Sequence, residues 1–477
     1  MKISEYASHD AVGLAELIAR GEVTPAEVAD AAARAVEAVN PQLNAVVETW
    51  AAEDTPAPGS APLAGVPFLI KDLGVTMAGK RSELGSRLAA GSVAAEDSFL
   101  MRRFRRAGLV TIGRTATPEL AYSTTTEREF YGPTRNPWSP DRSAGGSSGG
   151  SGAAVAAGIV PIAHATDAAG SIRVPASANG LFGLKPTRGR VSQGPGADEV
   201  FNGLAVQGAL SRTVRDSAVL LDLIEGPEPG DPYSAPRPER PYADEATTDP
   251  GKLRIALLRQ PWGGLHPTEP VSAAVSETAR LLASLGHDVE ETQLDLGVSW
   301  EEFVLGNARM WTANLAPWID SIAAATGRPV DETTLEPVVL ASYRYGHQVT
   351  ADEFVRALAI RNSVSRTFAQ HFEHYDLLLS PTLPELPVPL GVYGEDADRL
   401  DGRGWLDRLL TRSPYTAAAN VSGVPSMSVP LATAADLPIG MQFTAAYARE
   451  DLLFRLAGQL EQAAPWTHRK PPVWAGA

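Results

Sequence analysis

The sequence predicts an α/β protein: a mixed, twisted β-sheet core flanked by α-helices. Three observations carry this expectation. Short apolar, β-branched runs such as Val66-Pro67-Phe68-Leu69-Ile70 recur along the chain, with amphipathic helical patterns between them. Residues 253–294 read strand, helix, strand, the pattern of a βαβ unit. Two Gly/Ser/Ala-rich loops, Gly145 to Gly152 and Asp167 to Ser171, are joined by the small-residue and then β-branched run Ala153 to Thr166 and so are wired into a core.

In chain order, Thr24-Pro25-Ala26-Glu27 starts a helix with a cap, proline at the first position and an acid in the first turn, and the apolar period runs to Val39. Pro41 to Val47 closes that unit, and Pro56 to Ala64 is a loop leading into a buried strand that ends in charge at Lys71-Asp72. A basic helix is expected over Ser98 to Ala107, a strand over Leu109 to Arg114, and a polar approach to the first serine loop over Asn136 to Arg142. Gly183 to Thr187 reads as a turn and Ser211 to Ile224 as a capped helix. The seven prolines between Gly226 and Gly251, with little aliphatic period, predict a surface linker at 226–251. Beyond it come a strand at Leu253 to Leu258, a helix at Pro270 to Leu285 and a strand at Asp288 to Leu294. Long helices cover Glu301 to Ile322 and Ala351 to Phe372, so residues 301–372 form a helical segment suited to shaping a substrate pocket, with Trp311 and Trp318 as its candidate lining residues. Strand-like runs at Leu377 to Leu379, Ser426 to Val429 and Ile439 to Phe443 precede a last helix over Asp451 to Glu461. Residues 1–477 are read as a single domain.

Composition excludes several functions. A net charge of −15 disfavours a nucleic-acid or anionic-membrane surface, since phosphate binding needs clustered Lys and Arg. With no cysteine, thiolate nucleophiles, thiolate metal sites and disulfides are out, and serine is the obvious covalent nucleophile. The eight histidines show no metal-ligand spacing, so neither a metal nor another cofactor is expected. No apolar run of about 18 residues and no leader pattern occurs, which predicts a cytoplasmic protein without a membrane partner. Oligomeric state stays open, a homodimer included.

Amide hydrolysis by serine needs a nucleophile, a base to take its proton and donors for the oxyanion. Ser171 follows three small residues, so the N–H groups of Ala168, Ala169, Gly170 and Ser171 can converge on one anion; Ser171 is the candidate nucleophile. Lys71 ends an apolar strand, where desolvation disfavours the ammonium and leaves an amine able to act as a base.

These residues resemble the amidase signature hydrolases. The resemblance rests on the two serine clusters, the upstream Gly65-Val66-Pro67-Phe68-Leu69-Ile70-Lys71-Asp72, the downstream Gly183-Leu184-Lys185-Pro186-Thr187, Thr134-Arg135-Asn136-Pro137-Trp138 and Pro438-Ile439-Gly440-Met441-Gln442. It implies the amidase-signature fold and a Ser-cisSer-Lys triad, with Lys71 as base, Ser147 as the bridging serine joined through a cis peptide and Ser171 as nucleophile. Ser148, Thr166, Asp167 and Arg173 are then expected to support the triad. Where the family usually has Asp-x-Gly-Gly-Ser, this chain has Asp167-Ala168-Ala169-Gly170-Ser171, tolerable if Ala169 keeps a negative φ. That variant, with Thr444 to Asp451, is similar to the branch of the family containing nylon-oligomer hydrolases. The resemblance implies hydrolysis of a small carboxamide through an acyl-enzyme, with carbamates and esters open to the same chemistry.

Other readings compete. Gly145-Gly146-Ser147-Ser148-Gly149 fits the G-x-S-x-G elbow of α/β-hydrolases, which makes Ser147 the nucleophile and calls on His347, His371, His374 or His468. A glutamine-hydrolysing subunit of a tRNA-dependent amidotransferase shares the same triad. A non-catalytic binding module would have no need of all three triad positions.

Overall fold

An eleven-stranded mixed sheet runs through the molecule in the computed structural model, which describes residues 1–52, 57, 59–197 and 199–477. The expected loop from Pro56 to Ala64 lies partly outside the described residues, at Pro56 and Pro58. Across the sheet the order is Val46–Thr49, Val110–Thr115, Pro67–Lys71, Ile162–Asp167, Val206–Ser211, Phe182–Lys185, Ser426–Ala434, Leu437–Ala445, Leu377–Pro381, Arg254–Leu257 and Asp288–Glu291. Pro67–Lys71 runs parallel to both its neighbours, and Arg254–Leu257 is parallel to Asp288–Glu291 with helix Glu269–Ser284 as the crossover, the predicted βαβ unit.

The sheet divides two apolar cores. Side chains alternate across a strand, so Ile255 and Leu257 enter one core while Ala256 enters the other, and Leu377 and Leu379 are likewise separated from Leu378. The first core takes the helices Pro25–Leu43, Val214–Ile224 and Glu450–Ala463; the second takes Trp300–Thr326, Pro337–Gly346 and Ala351–His374. Capping boxes start three of these helices, Thr24 with Glu27, Ser299 with Glu302 and Thr350 with Glu353. The first helix continues past Val39 through Pro41 and stops at Asn44, whose φ of 51° is left-handed, a conformation asparagine tolerates.

Four strands of the sheet differ from the sequence reading, the first being Val46–Thr49, where the chain was expected only to close the preceding helical unit. Ile162–Asp167 and Val206–Ser211 were not legible as strands, and the expected turn at Gly183 opens inside strand Phe182–Lys185. The helix Gly149–Ala156 begins inside the expected loop Gly145 to Gly152 and takes up its second half; it is buried on every side and so shows no amphipathic period. Most of the proline-rich stretch 226–251 is exposed or half-buried, and it is anchored at a few points. Tyr242 is buried in the first core against Phe454, and Glu245 takes ion pairs from Arg240 and Arg455. Prolines hold such a path at little entropic cost, which is why it packs without a regular period.

Candidate active site

Lys71 closes its strand fully buried, and its Nζ lies 2.6 Å from Ser147 Oγ and 2.8 Å from Thr166 Oγ1. The parallel neighbour strand supplies Thr166 and the first serine loop supplies Ser147, entered through a cis Gly146–Ser147 peptide. Gly146 is required there: a Cβ would sit 2.6 Å from the Thr125 backbone nitrogen. Burial pushes the Lys71 amine down to about 7, against a smaller opposing pull from the Asp167 carboxylate. A group at that value exchanges protons near neutrality.

Ser171 sits in the loop between strand Ile162–Asp167 and helix Arg173–Asn179, on the wall of the same cavity as Ser147. The two loops are stitched by Ser148, whose N–H donates to the Ser171 carbonyl at 3.4 Å and whose hydroxyl accepts from the Thr166 N–H at 3.2 Å. Among the described residues no hydrogen bond joins the hydroxyls of Ser147 and Ser171. Asp167 organises the turn. Its carboxylate accepts from the N–H groups of Gly170 at 2.7 Å and Ile172 at 3.1 Å and pairs with Arg173 at 3.0 Å. Burial alone would raise this carboxyl, but Arg173, with help from Lys185 and Asn420, holds it at about 2.

This arrangement corrects the expected set of four oxyanion donors. The Gly170 N–H is committed to Asp167, which leaves Ala168, Ala169 and Ser171, whose N–H groups have no acceptor among the described residues. Ala169 is not in a positive-φ conformation, so the departure from Gly-Gly is accommodated without strain. Gly170 carries the left-handed turn instead, at φ 133°, with Thr416 Oγ1 2.7 Å from where a Cβ would be.

Sequence reasoning missed the second ring of this turn. Thr416 donates to the Ala169 carbonyl at 2.5 Å, Asn420 donates to both the carbonyl and the carboxylate of Asp167, and Asn420 and Gln442 accept from Arg173. Gln442 lies in the quoted Pro438-to-Gln442 motif; Thr416 and Asn420, beside and within helix Ala417–Ser422, had no motif to announce them.

The cavity encloses about 450 Å³. Ser147, Thr166, Ala168 and Ser171 form one part of its wall, and Phe201, Asn314 and Trp318 another. Trp318 is thus a lining residue of this cavity. Trp311 is not: it is buried behind Phe201, stacked on it with ring centroids 4.2 Å apart, and backs the wall. His347, His371, His374 and His468 are all absent from the lining, which removes the base that the elbow reading required. Among the described residues no group of three or more His, Cys, Asp or Glu side chains is placed to hold a metal ion, and no helix is long and apolar enough to cross a membrane.

The Amidase family model matches residues 27–454. The 6-aminohexanoate-cyclic-dimer hydrolase of Paenarthrobacter ureafaciens is 40% identical over 485 aligned positions, covering 97% of this chain and 96% of that protein. An acylamidase of Rhodococcus erythropolis is 34% identical over 475 positions, covering 97% and 96%. A solved structure of 6-aminohexanoate cyclic dimer hydrolase complexed with substrate superposes with a TM-score of 0.90 at 37% identity, covering 98% of this chain and 99% of that one.

Proposed function

The chain belongs to the amidase signature family and is an amide-hydrolysing enzyme, and from that premise we propose that it works through Lys71, Ser147 and Ser171. The observation that carries this reading is the 2.6 Å contact between a fully buried lysine amine and the Ser147 hydroxyl, with Ser171 on the same cavity wall. Neutral Lys71 takes the Ser147 proton as Ser147 takes that of Ser171, and Ser171 Oγ bonds to the carbonyl carbon. The oxyanion that forms is met by the N–H groups of Ala168, Ala169 and Ser171, donors fixed before the reaction begins. When the carbon–nitrogen bond breaks, the proton returns from Lys71 through Ser147 to the leaving nitrogen. Water then cleaves the Ser171 ester by the same route, releasing the acid and restoring the hydroxyl. Ser148, Thr166, Asp167 and Arg173 hold the two loops in register.

The substrate we favour is a small linear, cyclic or aryl carboxamide, and similarity to the cyclic-dimer hydrolase supports oligoamides of ω-amino acids within that class. Carbamates and esters share the tetrahedral chemistry. Two measurements test the reading together. A panel of linear, cyclic and aryl amides followed by mass spectrometry should show amide turnover, and a fluorophosphonate should label Ser171. Labelling of Ser147 in the wild type, with Ser171→Ala still active, would overturn the assignment.

A further inference from the structure

Beside Lys71 lies a histidine for which the hydrolytic steps have no use. His164 is fully buried on strand Ile162–Asp167, and its Nδ1 faces the backbone N–H of Lys71 at 3.2 Å. A backbone nitrogen can only donate, so Nδ1 must accept, and a neutral imidazole with Nδ1 as acceptor carries its proton on Nε2. Burial keeps the ring neutral, pushing it down to about 3. Nε2 lies 2.8 Å from the side-chain amide of Gln207. Since Nε2 donates, the atom facing it has to be Gln207 Oε1, which settles an amide orientation that shape alone leaves ambiguous.

The Gln207 NH₂ is therefore turned the other way. One of its hydrogens goes to the Gly74 carbonyl at 2.7 Å; the second has no acceptor among the described residues. Gln207 is paired across the sheet with Thr166, the residue that touches Lys71, and both line the cavity, as does Gly74. The site thus holds a side-chain N–H that cannot be exchanged for an acceptor by rotating the amide, because His164 would then face a second donor. A fixed donor on the cavity wall favours a ligand that brings an acceptor and penalises one that brings only hydrocarbon.

We propose that Gln207 is a substrate-binding residue that donates to a carbonyl oxygen other than the scissile one, and that His164 is the positioning residue that fixes it. The inference rests on the amidase reading and narrows it to substrates with a second amide along the chain. The test uses acetamidoalkanamides with two to five methylenes between the two amides, each against the unbranched alkanamide of equal chain length, scored by ammonia release so that only the terminal primary amide is counted. In the wild type at least one spacing should exceed its partner in kcat/KM by about tenfold, mainly through KM. Gln207→Met should bring that ratio close to one whatever its absolute rates. His164→Leu should do the same, and His164→Gln, which restores an N–H near the place of Nε2, should recover part of it. A wild type that hydrolyses both series equally at every spacing, or a Gln207→Met enzyme that keeps the preference, overturns the proposal. A wild type that cleaves neither series at either amide, as followed by mass spectrometry, would count against the amidase reading instead.

Discussion

Asp167 and Arg173 form a wholly buried ion pair, with Arg173 Nη2 3.0 Å from Asp167 Oδ1 and Nε 3.0 Å from Oδ2. The pair is useful for what it frees and what it occupies: the same carboxylate takes the Gly170 and Ile172 N–H groups and shapes the loop that carries Ser171. Asp167→Asn should lower stability by about 3–5 kcal/mol, because it leaves a buried guanidinium unpaired, and denaturant unfolding measures this. The folded carboxyl lies near 2, below its ordinary value, so the stability it contributes is present above about pH 4 and is lost as pH falls toward 2. The variant's stability should accordingly change less with pH across that window.

Lys71 gives the kinetic counterpart. Its amine must be neutral to accept a proton, so kcat/KM should be low in acid and rise to a plateau as pH increases through about 7. Lys71→Ala should reduce the rate by about 10²- to 10⁴-fold. Lys185 is also pushed to about 7, but it donates to the Pro186 carbonyl away from the cavity lining, so Lys185→Met should leave the limb in place. A limb that moves on substitution of His347, His371, His374 or His468, and not on loss of Lys71, would refute the base assignment.

The two tryptophans of the long helix should separate cleanly. Trp318→Ala opens the cavity wall and should lower kcat/KM for bulky apolar amides by about 5- to 150-fold while sparing propionamide. Trp311→Ala removes the ring behind Phe201 and should instead cost about 3–5 kcal/mol in unfolding free energy. Ratios between substrates, compared with melting temperatures, distinguish the two effects.

That contrast also shows what a sequence can carry. Trp311 and Trp318 lie on one helix seven residues apart, and their spacing cannot say which faces the cavity until Phe201, from a distant loop, is stacked on one of them. Lys71 and Ser171 could be proposed from the residues because small residues and a strand ending in charge leave local marks, whereas a bridging place for Ser147 was implied only by the family resemblance. The same smallness hid the elements around them: helix Gly149–Ala156 and strand Ile162–Asp167 are buried on all sides and offer neither period. Thr416 and Asn420 come from some 250 positions downstream, and their role exists only once the sheet has brought strand Ser426–Ala434 beside Phe182–Lys185.

Two neighbours in the loop that carries Ser171 make the last case, because their conformations assign opposite outcomes to similar changes. Ala169 has no positive φ, so Ala169→Gly restores the family's usual residue without relieving any strain; it should cost about 0.5–1 kcal/mol of stability through chain entropy and leave kcat within a few-fold. Gly170 is left-handed at φ 133°, and a methyl group there would approach Thr416 Oγ1 to 2.7 Å. Gly170→Ala must therefore either hold alanine in a conformation costing about 1–3 kcal/mol or rotate the Ala169–Gly170 peptide. The second course breaks the Thr416 bond to the Ala169 carbonyl and turns the proposed oxyanion donors away from the substrate carbonyl. Loss of one such donor costs about 10²- to 10³-fold in kcat, so the expected result is a folded protein with that deficit and a nearly unchanged KM. Thr416→Ser keeps both the Oγ and the Cβ that the added methyl group would meet, so it should not recover the rate in the Gly170→Ala background. Full activity in Gly170→Ala alone would show that the loop is not the preformed donor array described above.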